Sequence, residues 1–314
     1  MLKVVKKRIS RLIARKSRFF QSVAQQNAAE MRLRGRTEKT RLDETDSVVI
    51  SCGKSGRTWV RVMLSAFYQV QRGESPEGLV DFDELHERDP DVPNLLFTHD
   101  TYLRYFTEDG DSKASYAGHK VVLLVRHPAD VAVSRFFQWK YRMKPRKIKL
   151  RGLPDRSEDL SIYDFVMDPR AGLPQICDFM TAWANAIPEI KQSMVVRYED
   201  LRSDPHSEVT RLVEFLGVPG ATYSPERIEA AVDFGAFDNM KKREARAAET
   251  LGGGMRLRPG DASNQDSYKV RRGKVGGYRD YFEDDEIEQI DRLIAQQLPA
   301  FFGYGEAGES ASSN

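Results

Sequence analysis

Cysteine is nearly missing from this chain: of 314 residues, only Cys52 and Cys177 carry a thiol. Two thiols that far apart make neither a disulfide framework nor a zinc-binding spacing, which excludes a cross-linked secreted scaffold and fits a reducing cytoplasm. Long apolar runs are missing too. None approaches the roughly 20 residues that span a bilayer, so a membrane-anchored enzyme is disfavoured. Charge of one sign is not in excess: 49 lysines and arginines against 47 acids leave a net +2, so nucleic acid is not an expected partner. No internal repeat is evident. Apolar residues make up 40% of the chain, enough for a core, and the length allows one large α/β domain.

The most informative segment starts at the apolar run Ser47–Ser51. Cys52-Gly53-Lys54-Ser55-Gly56-Arg57-Thr58-Trp59 follows it and opens an amphipathic stretch ending near Gln71. Strand, glycine loop and helix start in that order direct backbone N–H groups at an anion, with a lysine and hydroxyls beside them. The triphosphatase loop G-x-x-x-x-G-K-[ST] needs a leading glycine where this chain has Val48, inside the strand, so that identification fails. A second apolar run, residues 120–125, ends in Arg126-His127-Pro128 and leads into a helical pattern carrying Ser134. Further on come Val195-Val196-Arg197-Tyr198-Glu199-Asp200-Leu201 and Arg271-Arg272-Gly273-Lys274-Val275-Gly276-Gly277-Tyr278. The run Pro93–Phe97 ends in Thr98-His99-Asp100, which puts an imidazole at a strand's carboxyl end, where open α/β sheets place ligand groups.

Strands are predicted at 47–52, 94–98, 120–125 and 193–197. Helices are predicted at 57–71, 129–143, 159–166, 173–187, 205–216, 225–234 and 284–298. Their alternation calls for an α/β fold, a single domain with a central parallel sheet flanked by helices on both faces. The expected divisions are a basic extension (1–44), a catalytic domain (45–304) and a frayed tail (305–314).

In order and spacing, these motifs resemble the sulfotransferase family that uses 3′-phosphoadenosine 5′-phosphosulfate (PAPS), in its cytosolic form. The resemblance implies the P-loop-kinase-like fold of that family and sulfuryl transfer to an acceptor hydroxyl or amine. By resemblance, Lys54, Ser55, Gly56, Arg57, Thr58 and Trp59 form the phosphosulfate loop, with Trp59 stacking on adenine. Arg126 and Ser134 match the 3′-phosphate motif, Tyr198 the adenine-side tyrosine, and Arg271, Arg272 and Gly273 a late 3′-phosphate clamp. Phe237 falls in the nucleotide-binding segment Gly235–Met240. Lys54 matches the catalytic lysine and His99 the catalytic base. Histidine also has the right unperturbed pKa to accept a proton near neutrality. No metal is required, because a lysine beside the leaving oxygen can stabilise its charge. The chain departs from the family in three places: Phe97 replaces a usual lysine, Gly235 a frequent threonine, and Tyr278 a tryptophan. No dimerisation signature is found.

Other segments leave choices open. Residues 1–36 carry eleven lysines and arginines against Glu30 alone. They read as a basic amphipathic helix making peripheral contact at the inner membrane surface, or as a solvated arm or a helix packed on its own domain. The run Lys140–Arg151 holds seven basic residues and no acid. It is either a solvated loop or a guide for a polyanionic or lipid-linked acceptor, and it favours a glycan or lipid hydroxyl over a small phenol. Residues 245–270 are polar and glycine-rich and are expected to form a mobile cover over the nucleotide. Ser55 and Thr58 are candidate helix caps. His127 is expected to be structural, and Glu199 with Asp200 too closely placed for a paired-carboxylate hydrolase. A nucleotide kinase and a non-catalytic nucleotide-binding module remain as alternative functions.

Overall fold

The computed structural model describes residues 22–76, 78–107, 112–217, 223–249 and 259–304. Four strands, β1 (Ser47–Ser51), β2 (Leu95–Thr98), β3 (Lys120–Val125) and β4 (Ser193–Arg197), form one sheet in the order β2-β1-β3-β4. Every pairing is parallel, with Ser51 opposite Leu124, Ile50 opposite Thr98, and Val125 opposite Arg197. The carboxyl ends of all four strands therefore finish level at one edge. The near-continuous Val, Ile and Leu of β1 and β3 are what strands covered on both faces require. Val48, Ile50, Val121, Leu123 and Val125 point into one core layer, while Val49, Val122, Leu124 and Val196 point into the other.

Of the thirteen α-helices among the described residues, ten bear most on the sheet and its functional edge: α1 (Val23–Asp43), α2 (Arg57–Gln71), α3 (Pro128–Tyr141), α4 (Pro145–Leu150), α5 (Leu173–Ala186), α6 (Tyr198–Ser203), α7 (Pro205–Leu216), α8 (Pro225–Gly235), α9 (Phe237–Glu249) and α10 (Asp284–Gln297). Helices α3, α5 and α10 cover the first face through Trp139, Trp183 and Ile290. Helices α2, α7 and α8 cover the second through Phe67, Leu212 and Ala231. Helix starts follow local chemistry. Pro128 begins α3 and Asp130 lies in its first turn. Asp204 caps α7 by accepting from the Ser207 N–H at 3.0 Å.

The strands and large helices match the sequence expectations to within a few residues; α4, α6 and α9 were not foreseen, and α1 shares only residues 23–36 with the helix considered for residues 1–36. Helix α1 shows no apolar periodicity: its first turn is exposed, and Gly35 and Leu42 are its buried residues. Ser22 and Gln25 cap it reciprocally, Leu42 is buried, and Gly35 lies against the Tyr102 carbonyl. Residues 23–36 thus form part of a helix packed on its own domain, whereas residues 1–21 lie outside the described region. The expected mobile cover is also revised. Its first residues end α9, and residues 250–258 lie outside the described region. Residues 259–270 form a packed turn in which the Ser267 hydroxyl donates to the Asp261 carbonyl at 2.5 Å. Glu199 and Asp200 begin a helix instead of ending a strand. No helix among the described residues is long and apolar enough to cross a membrane.

Candidate functional site

Each strand hands one functional residue to the common edge directly after its last pair: the loop of Lys54 after β1, His99 after β2, Arg126 after β3 and Tyr198 after β4. With Arg57, Thr58, Trp59, Ser134, Phe237, Arg271, Arg272, Gly273 and Gly56, these residues line one cavity of about 360 Å³. Ser55 is the exception among the predicted residues. It sits beneath the loop, 1% exposed, and its hydroxyl has no hydrogen-bond partner among the described residues.

The loop holds a tight conformation. Lys54 has φ +88° and Gly56 φ +95°, both left-handed, and a non-glycine residue held there stores strain of about 1–3 kcal/mol. A Cβ on Gly56 would stand 2.8 Å from the Tyr198 ring, so only glycine fits. Helix α2 starts with no side-chain cap, contrary to the capping role considered for Ser55 and Thr58. The first-turn N–H groups therefore stay directed at the cavity mouth. Burial pushes the Lys54 amine down to about 7, and neighbouring Arg142 and Lys269 add repulsion.

His99 is fixed by a backbone acceptor. Its Nδ1 lies 2.8 Å from the Ser51 carbonyl oxygen, which can only accept, so Nδ1 carries the proton and Nε2 a lone pair. The Nε2 edge faces the loop: it would lie 3.9 Å from a Cβ built on Gly53. Burial lowers the imidazole pKa well below its usual value, and Arg57 lowers it further, so His99 is neutral through the neutral range.

On the far side, Arg126 sits over the Tyr198 ring at 4.3 Å and donates to the Lys274 carbonyl at 2.9 Å. Its buried Nε has no partner among the described residues. Arg271 packs over Phe137 at 3.6 Å and bonds Tyr281, while Arg272 pairs with Asp280. The Trp59 indole donates to the Gly235 carbonyl at 2.7 Å and meets Tyr198 edge-on at 5.7 Å. Gly235 is thus an indole seat, because a Cβ there would stand 2.3 Å from Met63 Cγ. His127 stacks on Tyr278 at 5.0 Å, away from the cavity lining, in agreement with a structural role.

Two residues that position the site went unassigned from sequence. Asp130, only 4% exposed, receives Arg126 and the N–H groups of Gly276 and Tyr278, tying the β3 end to the late loop. Its one signal was an acid in the first turn of a helix. Glu244 is fully buried and accepts from the Lys269 and Val270 N–H groups at 2.6 and 2.7 Å, fastening the strand of chain that leads into Arg271. Nothing local marks it, because its partners are 25 and 26 residues away.

The sulfotransferase domain profile matches residues 44–302. The chain belongs to the sulfotransferase family. This sulfotransferase is 25% identical over 285 residues to "Cytosolic sulfotransferase 10" of Arabidopsis thaliana, covering 81% of its own length and 78% of that relative. It is 26% identical over 268 residues to "Flavonol 3-sulfotransferase" of Flaveria bidentis, covering 81% and 82%. Among solved structures it is similar to mouse sulfotransferase SULT7A1 complexed with PAP, with a TM-score of 0.52, 20% identity, and coverage of 83% and 89%. Retinol dehydratase in complex with androsterone and inactive cofactor PAP gives a TM-score of 0.53 at 20% identity, covering 80% of each chain. The fold of the sulfotransferase is thus that of these P-loop-like enzymes.

Proposed function

We propose that this sulfotransferase moves the sulfuryl group of PAPS to a hydroxyl of a small acceptor, releasing adenosine 3′,5′-bisphosphate (PAP). The observation that carries this proposal is the meeting of Lys54, His99, Arg126 and Arg271 on one cavity. The residues suit a nucleotide anionic at both ends. Ser55 Oγ and Arg126 Nε are buried polar atoms without partners among the described residues, and Lys54 stands in a crowd of cations that an anion would relieve.

PAPS supplies an activated sulfuryl group on a phosphate leaving group. The loop N–H groups with Lys54 would hold its phosphosulfate, Arg126, Ser134, Arg271 and Arg272 its 3′-phosphate, and Trp59, Tyr198 and Phe237 its base. His99 Nε2 would take the proton of the acceptor hydroxyl, and the Lys54 ammonium would face the charge that develops on the leaving oxygen. An anion against Lys54 restores the ammonium that burial disfavours.

A small acceptor is preferred to the glycan or lipid expected from the basic segments. Relatives are named for flavonols, and the second cavity beside His99 measures about 220 Å³. Membrane contact through residues 1–36 stays a separate proposal. It is tested by co-sedimenting anionic liposomes with the full chain and with a chain lacking residues 1–21; equal sedimentation would refute it. The main reading is tested by calorimetry with PAP and with ATP–Mg. Preference for PAP is expected, and preference for ATP–Mg would overturn it.

A further inference from the structure

His99, Arg57 and Lys147 line two cavities at once, so the imidazole stands in the wall between the nucleotide cavity and a second one. The second cavity is strongly cationic. Besides those shared groups, Arg34, Arg41 and Arg151 line it, and Glu38 is its one carboxylate. Two of these cations are already committed, Arg34 to Glu30 at 2.7 Å and Arg41 to Asp83 at 3.0 Å. Glu38 accepts from the Thr98 hydroxyl and from the Tyr102 N–H at 3.3 Å, and burial raises its pKa. Among the described residues, neither Lys147 nor Arg151 pairs with a carboxylate. Burial lowers Lys147 to about 8, with Arg151, Arg34 and Arg57 repelling its charge. The nucleotide does not account for Arg151, which lines the second cavity and not the first.

We infer that the acceptor is a small hydroxyl compound bearing an oxyanion, a carboxylate, phosphate or sulfate, which Arg151 and Lys147 bind while its hydroxyl faces His99. This rests on the function proposed above and narrows it. The anion relieves the mutual repulsion of the two cations and forms charge-assisted hydrogen bonds with them. Phe97 and Tyr102 add aromatic surface to the lining of the same cavity. Relatives named for flavonols supply no reason to expect such a charge.

The test is calorimetry on the full chain saturated with PAP, using 4-hydroxyphenylacetate and its uncharged methyl ester as matched probes. The acid is expected to bind about tenfold or more tightly than the ester. Arg151→Gln should erase that preference and Arg151→Lys retain most of it, with PAP affinity as the control for folding. If Arg151→Gln fails to bind PAP, Lys147→Gln takes its place, and a reduced preference is expected there too. Equal binding of acid and ester, no binding of the acid, or a preference indifferent to these substitutions would overturn the inference. All three results leave the proposed function standing if PAP binds. Failure of the unmodified chain to bind PAP would instead sink that function, and the acceptor inference with it.

Discussion

The Asp130 carboxylate receives the Arg126 guanidinium at 3.2 Å and, through the same Oδ2 atom, the Gly276 N–H at 3.0 Å. One buried acid thus joins residues separated by nearly half the chain and sets the position of the cation beside Tyr198. Asp130→Asn keeps the shape but turns an amide N–H₂ towards donors. We expect a stability loss of about 1–3 kcal/mol and a fall in PAP affinity, measured by denaturant titration and calorimetry. Unchanged values of both would show that the carboxylate does not hold the site.

His99 is neutral with Nδ1 committed to Ser51, so its work is at Nε2. His99→Gln should lower kcat by about 10²–10⁴-fold while PAP affinity shifts little. The depressed pKa also sets the acid limb of kcat/KM for the unmodified enzyme. A base that stays deprotonated until well below pH 6.5 keeps activity flat as pH falls to that point, and the limb should lie below it. A limb at or above 6.5 would contradict the assignment.

Lys54 sits near 7 before any anion arrives, and an adjacent anion raises it. Above pH 7 the free protein is then short of a proton that the complex holds, so PAP binding takes up about one proton and weakens as pH rises. Below pH 7 the linkage disappears. Calorimetry in buffers of different ionisation enthalpy counts the protons, and Lys54→Met should abolish the uptake.

Gly235 seats the Trp59 indole on its own carbonyl. Gly235→Thr would drive a Cβ into Met63, for an overpacking cost of about 1–3 kcal/mol, and would shift the tryptophan that lines the cavity. Thermal melts should show the loss and calorimetry a weaker grip on PAP. A tolerated threonine would mean that Met63 and Trp59 can repack.

Much of the site could be read locally because its chemistry lies where strands end. The glycine loop, Arg126, His99 and Tyr198 each follow an apolar run, and runs of that length and composition identify themselves. Helices α1 and α9 could not be read this way. Their faces are mostly polar, and what stabilises them is contact with the Tyr102 carbonyl and with the chain at 269–270.

The sequence by itself determined the parallel α/β order, the anion-binding loop and the candidates for base and cation, because these depend on periodicity and on neighbours a few residues apart. Only the tertiary structure decided that Asp130 and Glu244 hold the late loop in place and that Gly235 carries the indole. It also decided that Lys147 and Arg151, read as part of a basic run that was either a solvated loop or an acceptor guide, face a second cavity at His99. Those facts depend on through-space contact and on the loss of solvent around charge, neither of which is encoded at any one position along the chain.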